Sequence, residues 1–311
     1  MITVLWLKGL LSRRPVRLAG AIVGVALAEV LVATLVAFTV KSAASMTQWV
    51  IASVSVDWQI QLSPGTNSKI IIVAVGQSTS YTALQQVDYA DSTGFTSETN
   101  GTVQTTGPGK VLGISPQYRQ DFPTQLRPLI GAPDGVLVAQ QTAANLHITV
   151  GDPVTIHRVG LPPVTTKVDG VVDLPKVDSL FQAVGVPAGV APQSPPDNVL
   201  LLPNNQWHQL FDQQAVIRPN SVRTQLHVHI GDNLPDGPWS AYTYVQQLAK
   251  NLEAKTHASD IVGNNLAAYL DGAPADAHHA RVLFLVLGLP GVILAVLLAL
   301  AATTVGKDRR R

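Results

Sequence analysis

Two long apolar runs constrain this chain more than any other feature. Leu18 to Val40 reads LAGAIVGVALAEVLVATLVAFTV, 23 residues with one charge, Glu29. Val282 to Val305 reads VLFLVLGLPGVILAVLLALAATTV, 24 residues with none. An α-helix rises about 1.5 Å per residue, so about 20 residues cross a hydrocarbon core of about 30 Å. Both runs meet that length. The first has the basic flank of a secretion signal, but signal cores run only about 7–15 residues. The sequence Lys41-Ser42-Ala43-Ala44 is also a poor cleavage site. Both runs are therefore expected to be transmembrane helices, at 18–40 and 282–305.

The flanking charges orient them. Lys8, Arg13, Arg14 and Arg17 precede the first run, and Lys307, Arg309, Arg310 and Arg311 follow the second. Only Lys41 and Arg281 lie on the opposite flanks. Basic residues near helix ends stay cytoplasmic. Both termini are thus expected in the cytoplasm of a multi-pass plasma (inner) membrane protein, with residues 41–281 outside and a basic tail at 306–311. Residues 1–17 place Leu5, Trp6, Leu10 and Leu11 on one helical face. They form either an interfacial amphipathic helix or the cytoplasmic end of the first span.

The charge of the middle differs from that of the whole. The chain carries a formal +1, yet residues 42–280 hold 11 Lys and Arg against 18 Asp and Glu, a net of −7. An acidic external segment argues against nucleic acid as a partner and against flat docking on anionic headgroups. There is no cysteine, which excludes disulfides and thiolate metal sites. A core alone must hold this segment, and its length suffices for one.

The pattern inside it is mixed α/β. Ser53 to Leu62 alternates with period two, a strand ended by Pro64-Gly65. Lys69 to Val75 (KIIIVAV) suits a buried strand or a short helix. Residues 76–110 read as strands with loose loops, closing on the strand Lys110–Ser115. Gly135–Val138 is a strand, Gln140–Leu146 a two-turn helix, and Val150–Pro153 a turn. Val154–Arg158 and Thr165–Val172 form a hairpin. The proline-rich stretch 185–197 is a loop. A strand at 198–202, a helix at 204–213, the alternating strand Gln225–Ile230 and a helix over 240–257 complete the segment.

Candidate sites are few. Gly20, Gly24 and Ala28 recur every four residues in the first span, as do Gly291, Ala295 and Ala299 in the second. Small residues at that spacing let helices pack closely. Glu29 sits mid-span, where an acid costs about 2.5–3.5 kcal/mol and faces protein or water. It is either a polar contact to another helix, a proton-linked group, or a protonated acid tolerated at an interface. His227 and His229 share a strand face without a third ligand nearby, so no metal is expected. His278-His279 flank the second span, and Asn100-Gly101-Thr102 is a formal glycosylation sequon. No nucleophile elbow, zinc-protease motif, phosphate loop or spaced carboxylate pair occurs. Hence no catalytic residue, no cofactor and no ATPase activity are expected in this chain.

In order along the chain, Leu11-Ser12-Arg13-Arg14-Pro15-Val16-Arg17 enters the first span. Gly135–Val138, Ala143-Ala144-Asn145-Leu146, Val150-Gly151-Asp152-Pro153-Val154 and Val168-Asp169-Gly170-Val171-Val172 follow, and the second span ends in Lys307–Arg311. In this order the chain resembles an ABC-transporter permease subunit of the MacB/FtsX type, with a periplasmic core domain and an FtsX-like transmembrane region. The resemblance implies a porter-like part at about 50–125 and 215–275 and a β-rich insert at about 126–210. It also implies a separate ABC ATPase as partner, working through an export or mechanotransmission cycle. The family carries two further spans after the second; relative to it this chain is truncated. A second permease chain or a C-terminal half would then complete the bundle. The alternative is a non-transporting, membrane-anchored binding or scaffold protein. A tethered hydrolase has no motif to support it.

Overall fold

The structure is a computed structural model that describes residues 15–99, 101–182, 184, 194–256 and 260–271. The second apolar run, with Gly291, Ala295 and Ala299, lies outside the described residues. So do residues 1–14, Asn100, His278-His279, the tail at 306–311 and most of the proline-rich loop. The chain divides into two units. One comprises 1–50, 236–241 and 270–311, the other 51–235 and 242–269.

In the first unit, Pro15–Ser53 (α1) is one unbroken helix of 39 residues whose last three belong to the second unit. It carries the whole 18–40 run, with Glu29 exposed. Described side chains cover only part of that run. Among the described residues, no helix is long and apolar enough to cross a membrane.

The second unit is built on a twelve-stranded mixed sheet. In chain order the elements are Trp58–Leu62 (β1), Ser68–Ser78 (α2), Tyr81–Thr99 (β2), Thr102–Thr105 (β3), Gly109–Ile114 (β4), Tyr118–Asp121 (α3) and Arg127–Gly131 (β5). Then come Leu137–Ala139 (β6), Gln140–Leu146 (α4), Pro153–Arg158 (β7), Val164–Lys167 (β8), Gly170–Asp173 (β9) and Val177–Leu180 (α5). Val199–Pro203 (β10), Asn204–Ile217 (α6), Val222–Ile230 (β11), Pro238–Lys255 (α7) and Asp260–Asn264 (β12) complete them. The strand order is β12-β1-β11-β2-β4-β10-β6-β9-β5, with β3, β7 and β8 attached beside β2. The pairs β4–β10 and β6–β9 are parallel and the rest antiparallel. β5 to β10 come from the 126–210 stretch. They continue the same sheet, joining where β10 lies along β4 and where β7 lies along β2.

Period-two alternation sends side chains to two cores. On β10, Val199 and Leu201 join Tyr89, Leu112, Tyr118, Phe122, Leu180 and Phe181 on one face. Leu200 and Leu202 face the other way, toward Val111, Val138, Leu146, Trp207 and Phe211. A strand buried on both faces must be apolar throughout, and β10 reads VLLLP. A third cluster seats Ile71 and Val75 of α2 and Leu248 and Leu252 of α7 on Trp58, Ile60, Leu226 and Val228.

Local chemistry accounts for the departures from the sequence reading. Lys69–Val75 resolves to helix because Asn67 caps it, its Oδ1 accepting from Lys69 N at 3.0 Å. The polar 76–110 stretch holds one 19-residue strand rather than loose loops. It pairs with β11, β4, β7 and β3 in turn, bending at a bulge between Ser92 and Gly94. Gly94 has φ +155°, and a Cβ there would meet the Thr106 carbonyl at 2.7 Å. The expected hairpin over 154–172 forms only as far as Lys167. Asp169 then draws the chain to β6: its carboxylate accepts from Val136 N at 2.8 Å, and its own amide donates to Val136 O at 2.8 Å. Gly170–Asp173 pairs with β6 and β5 instead.

Gly113 on β4 makes room for Trp207, whose indole N–H donates to Val111 O at 3.0 Å. A Cβ at 113 would lie 2.7 Å from the indole. Gly113→Ala is expected to cost about 2 kcal/mol through overpacking, seen in urea unfolding as a lowered midpoint at unchanged slope. A midpoint equal to wild type would show that the indole slot yields freely.

Candidate functional site

The chemistry-bearing side chains collect on a polar layer buried beneath one face of the sheet. On β11, Leu226 and Val228 face the α2/α7 core, so Gln225, His227 and His229 face the opposite side. There α3 and α5 cover them. The His227 imidazole is fully buried. Its Nδ1 lies 2.8 Å from the Tyr118 hydroxyl. Its Nε2 lies 3.3 Å from both the Tyr89 hydroxyl and Gln225 Oε1. The Tyr89 hydroxyl donates to Leu180 O at 2.9 Å, so it is free only to accept from the ring. His227 therefore carries its proton on Nε2, and Nδ1 accepts from Tyr118. Burial first, and the Arg223 charge second, push its pKa down to about 3. The ring stays neutral across physiological pH. Burial likewise raises both tyrosines, keeping their hydroxyls protonated as donors.

The layer extends in both directions. Arg223 stacks over the Tyr89 ring at 4.6 Å. Gln59 on β1, fully buried, donates to Ser179 O at 2.5 Å and accepts from Asn265 Nδ2 at 3.3 Å. Gln125 donates to Ser179 Oγ at 2.9 Å. His229 lies 3.2 Å from Asp57 and stacks on Phe122 at 4.9 Å, a ring that also meets His227 edge-on. The two histidines thus share a face, as the spacing implied, but each is committed to its own partners. Among the described residues, no group of three or more His, Asp or Glu is placed to hold a metal.

Two acids stand elsewhere. Asp88 on β2 is buried beneath α6, accepting from Thr224 Oγ1 at 2.6 Å and Gln86 Nε2 at 2.9 Å, with His208 Nε2 at 3.6 Å. Desolvation raises its pKa despite these donors. Asp232 closes the far end of β11. It accepts from the Ser80 hydroxyl, Thr79 Oγ1 at 2.9 Å and the Tyr244 hydroxyl at 3.3 Å. Those donors, Ser80 foremost, hold its carboxyl below the usual range.

Of the residues singled out from sequence, Gly20, Gly24, Ala28 and Glu29 all lie on α1. Tyr89, Tyr118, Asp88 and Asp232 were not singled out. The alternation over 225–230 marks a polar strand face, and the burial of Gln225 and His227 on it, which demands hydrogen-bonding partners, emerges only in the fold.

No protein-family model matches the chain, and no curated protein matches it. Among solved structures, the chain is similar to the periplasmic region of MacB from Actinobacillus actinomycetemcomitans. The TM-score is 0.41 at 11% identity, covering 71% of this chain and 94% of that one. A likeness of that degree does not establish a family.

The buried imidazole sets a pH dependence. An unfolded histidine titrates near 6.5, whereas folded His227 resists protonation down to about 3. Between those values the unfolded state binds the extra proton. The stabilisation is therefore complete above pH 6.5 and is lost as pH falls toward 3, at about 1.4 kcal/mol per unit. Asp88, whose pKa is raised, acts with the opposite sign but is common to wild type and variant. His227→Gln should lower stability at pH 7.5 and close the gap to wild type by pH 4.5, in urea unfolding of the full chain in mild detergent. Parallel stability curves would rule this out.

Proposed function

We propose that this chain is a permease subunit, or the N-terminal half of one, of an ABC-type export or mechanotransmission system. On this reading residues 18–40 and 282–305 span the inner membrane, with both ends cytoplasmic. Residues 41–281 form an external domain moved by ATP that a separate subunit hydrolyses. The chain itself contributes no phosphate loop and no catalytic residue.

One observation carries the reading. The helix that holds the first apolar run continues without a break from Pro15 to Ser53. Only Val54 to Asp57 separate it from β1, whose Trp58, Ile60 and Leu62 are buried in the core. A continuous helix of 39 residues is about 58 Å long and transmits displacement along its axis. Neither Gly nor Pro interrupts it between Val25 and Ser53. The ordered motifs between Gly135 and Val172 and the basic outer flanks of both runs support the same reading. Glu29, exposed on α1, fits a contact with further helices supplied by a second permease chain or a C-terminal half.

Topology is tested by single cysteines placed at Ser12 and at the exposed Val103. A membrane-impermeant maleimide added to intact cells should modify only position 103. Modification of both from outside would sink the two-span arrangement.

Assembly is tested by purification from the native membrane in mild detergent. A complex containing further transmembrane helices and an ATPase is expected, and Glu29→Leu should leave insertion intact while weakening that complex. Recovery of a stable, ATPase-free monomer, with Glu29→Leu behaving as wild type, would decide for the anchored scaffold.

A further inference from the structure

A groove of about 450 Å³ runs along α1 beside Phe38, Lys41, Ser42, Ser45, Met46 and Trp49. These positions follow the spacing i, i+3, i+4, i+7, i+8, i+11, which is a single helical face. Over about 16 Å of helix axis the chemistry changes in order. Phe38 lies inside the apolar run. Lys41 is the first residue after it, with the Ser42 and Ser45 hydroxyls within one turn. Met46 and an exposed Trp49, the latter 73% accessible, lie furthest out. Lys41 is the only Lys or Arg between Arg17 and Lys69. Among the described residues it makes no ion pair.

We propose that this face seats one anionic phospholipid of the outer leaflet, of the phosphatidylglycerol class. The lipid phosphate sits at Lys41 with the Ser42 and Ser45 hydroxyls as donors. An acyl chain lies along Phe38. The inference rests on the reading of 18–40 as a span, because that reading puts Lys41 at phosphate depth, just beyond the apolar run. Charge complementarity favours an anionic lipid over a zwitterionic one. The acidic remainder of the external segment, net −7 over 42–280, repels anionic surfaces. Any anionic preference on the outer side must therefore come from this face and not from the domain as a whole.

The test uses the full chain in mild detergent and native mass spectrometry. Phosphatidylglycerol and phosphatidylcholine with identical acyl chains are added in turn. Wild type should retain the anionic lipid about fivefold better than Lys41→Gln does, the margin expected of one lysine at the surface. Lys69→Gln should match wild type. A photoreactive p-benzoylphenylalanine in place of Phe38 should cross-link lipid. Equal retention of the two lipids, or an unaltered preference in Lys41→Gln, would overturn the proposal. So would displacement of the lipid by equimolar inorganic phosphate, or cross-links confined to residues 282–305. Extraction of the chain from membranes by alkaline carbonate would remove the span and the lipid site together. A membrane-retained chain without lipid preference would remove only the lipid site.

Discussion

The backbone ladder of β2 is the interaction on which the second unit depends. Nineteen residues pair with four strands, two of which, β11 and β4, flank it on opposite edges across Asp88 to Ala90. Every other strand is reached through those partners. The strand can serve both parts of the sheet because it bends once. At Ser92–Gly94 the register shifts, and Ser92 Oγ lies 2.8 Å from the His157 carbonyl while accepting from Gly94 N–H at 3.2 Å. The hydroxyl fills hydrogen-bonding positions that the bulge takes out of the ladder. A straight β2 would leave β7 and β8 without an edge to join.

Burial on both faces follows from that central placement, and it explains the uneven legibility of the sequence. Elements whose burial pattern is regular were legible: the helix at Gln140–Leu146, the uniformly apolar β10 and the alternating β11 all stand close to where patterning puts them. β2 was not legible as one strand, because its buried positions include Asp88, Ser92 and Ser97, each satisfied by distant partners such as Thr224 and Pro153. Period-two hydropathy is blind to polar residues that are buried by pairing. The fate of Gly170–Asp173 was likewise hidden, since it turns on a side-chain contact from Asp169 to Val136, 33 residues away. Of the candidate site, the shared face of His227 and His229 was readable from spacing. The tyrosines that fix the imidazole were not, because α3 and β2 meet β11 only through the tertiary fold.

The polar layer imposes a discipline that an apolar core would not. Hydrophobic burial is non-directional, whereas buried hydrogen-bonding groups lose heavily when displaced from their partners. His227 has one tautomer that satisfies Tyr118, Tyr89 and Gln225 together, and Gln59 and Gln125 both fix Ser179. These bonds tie α3 and α5 to the sheet at defined positions. The layer thus contributes a unique arrangement of the helices rather than a large share of the stability.

That uniqueness extends to β1. β1, the first strand after α1, is held on one face by Trp58, Ile60 and Leu62 in an apolar cluster and on the other by Gln59 in the polar layer. It is also paired on both edges, to β11 and β12. Sliding β1 along its neighbours by one residue would exchange those faces, placing the glutamine in the apolar cluster and an apolar side chain among the polar groups. The strand is therefore locked in register by chemistry on both sides.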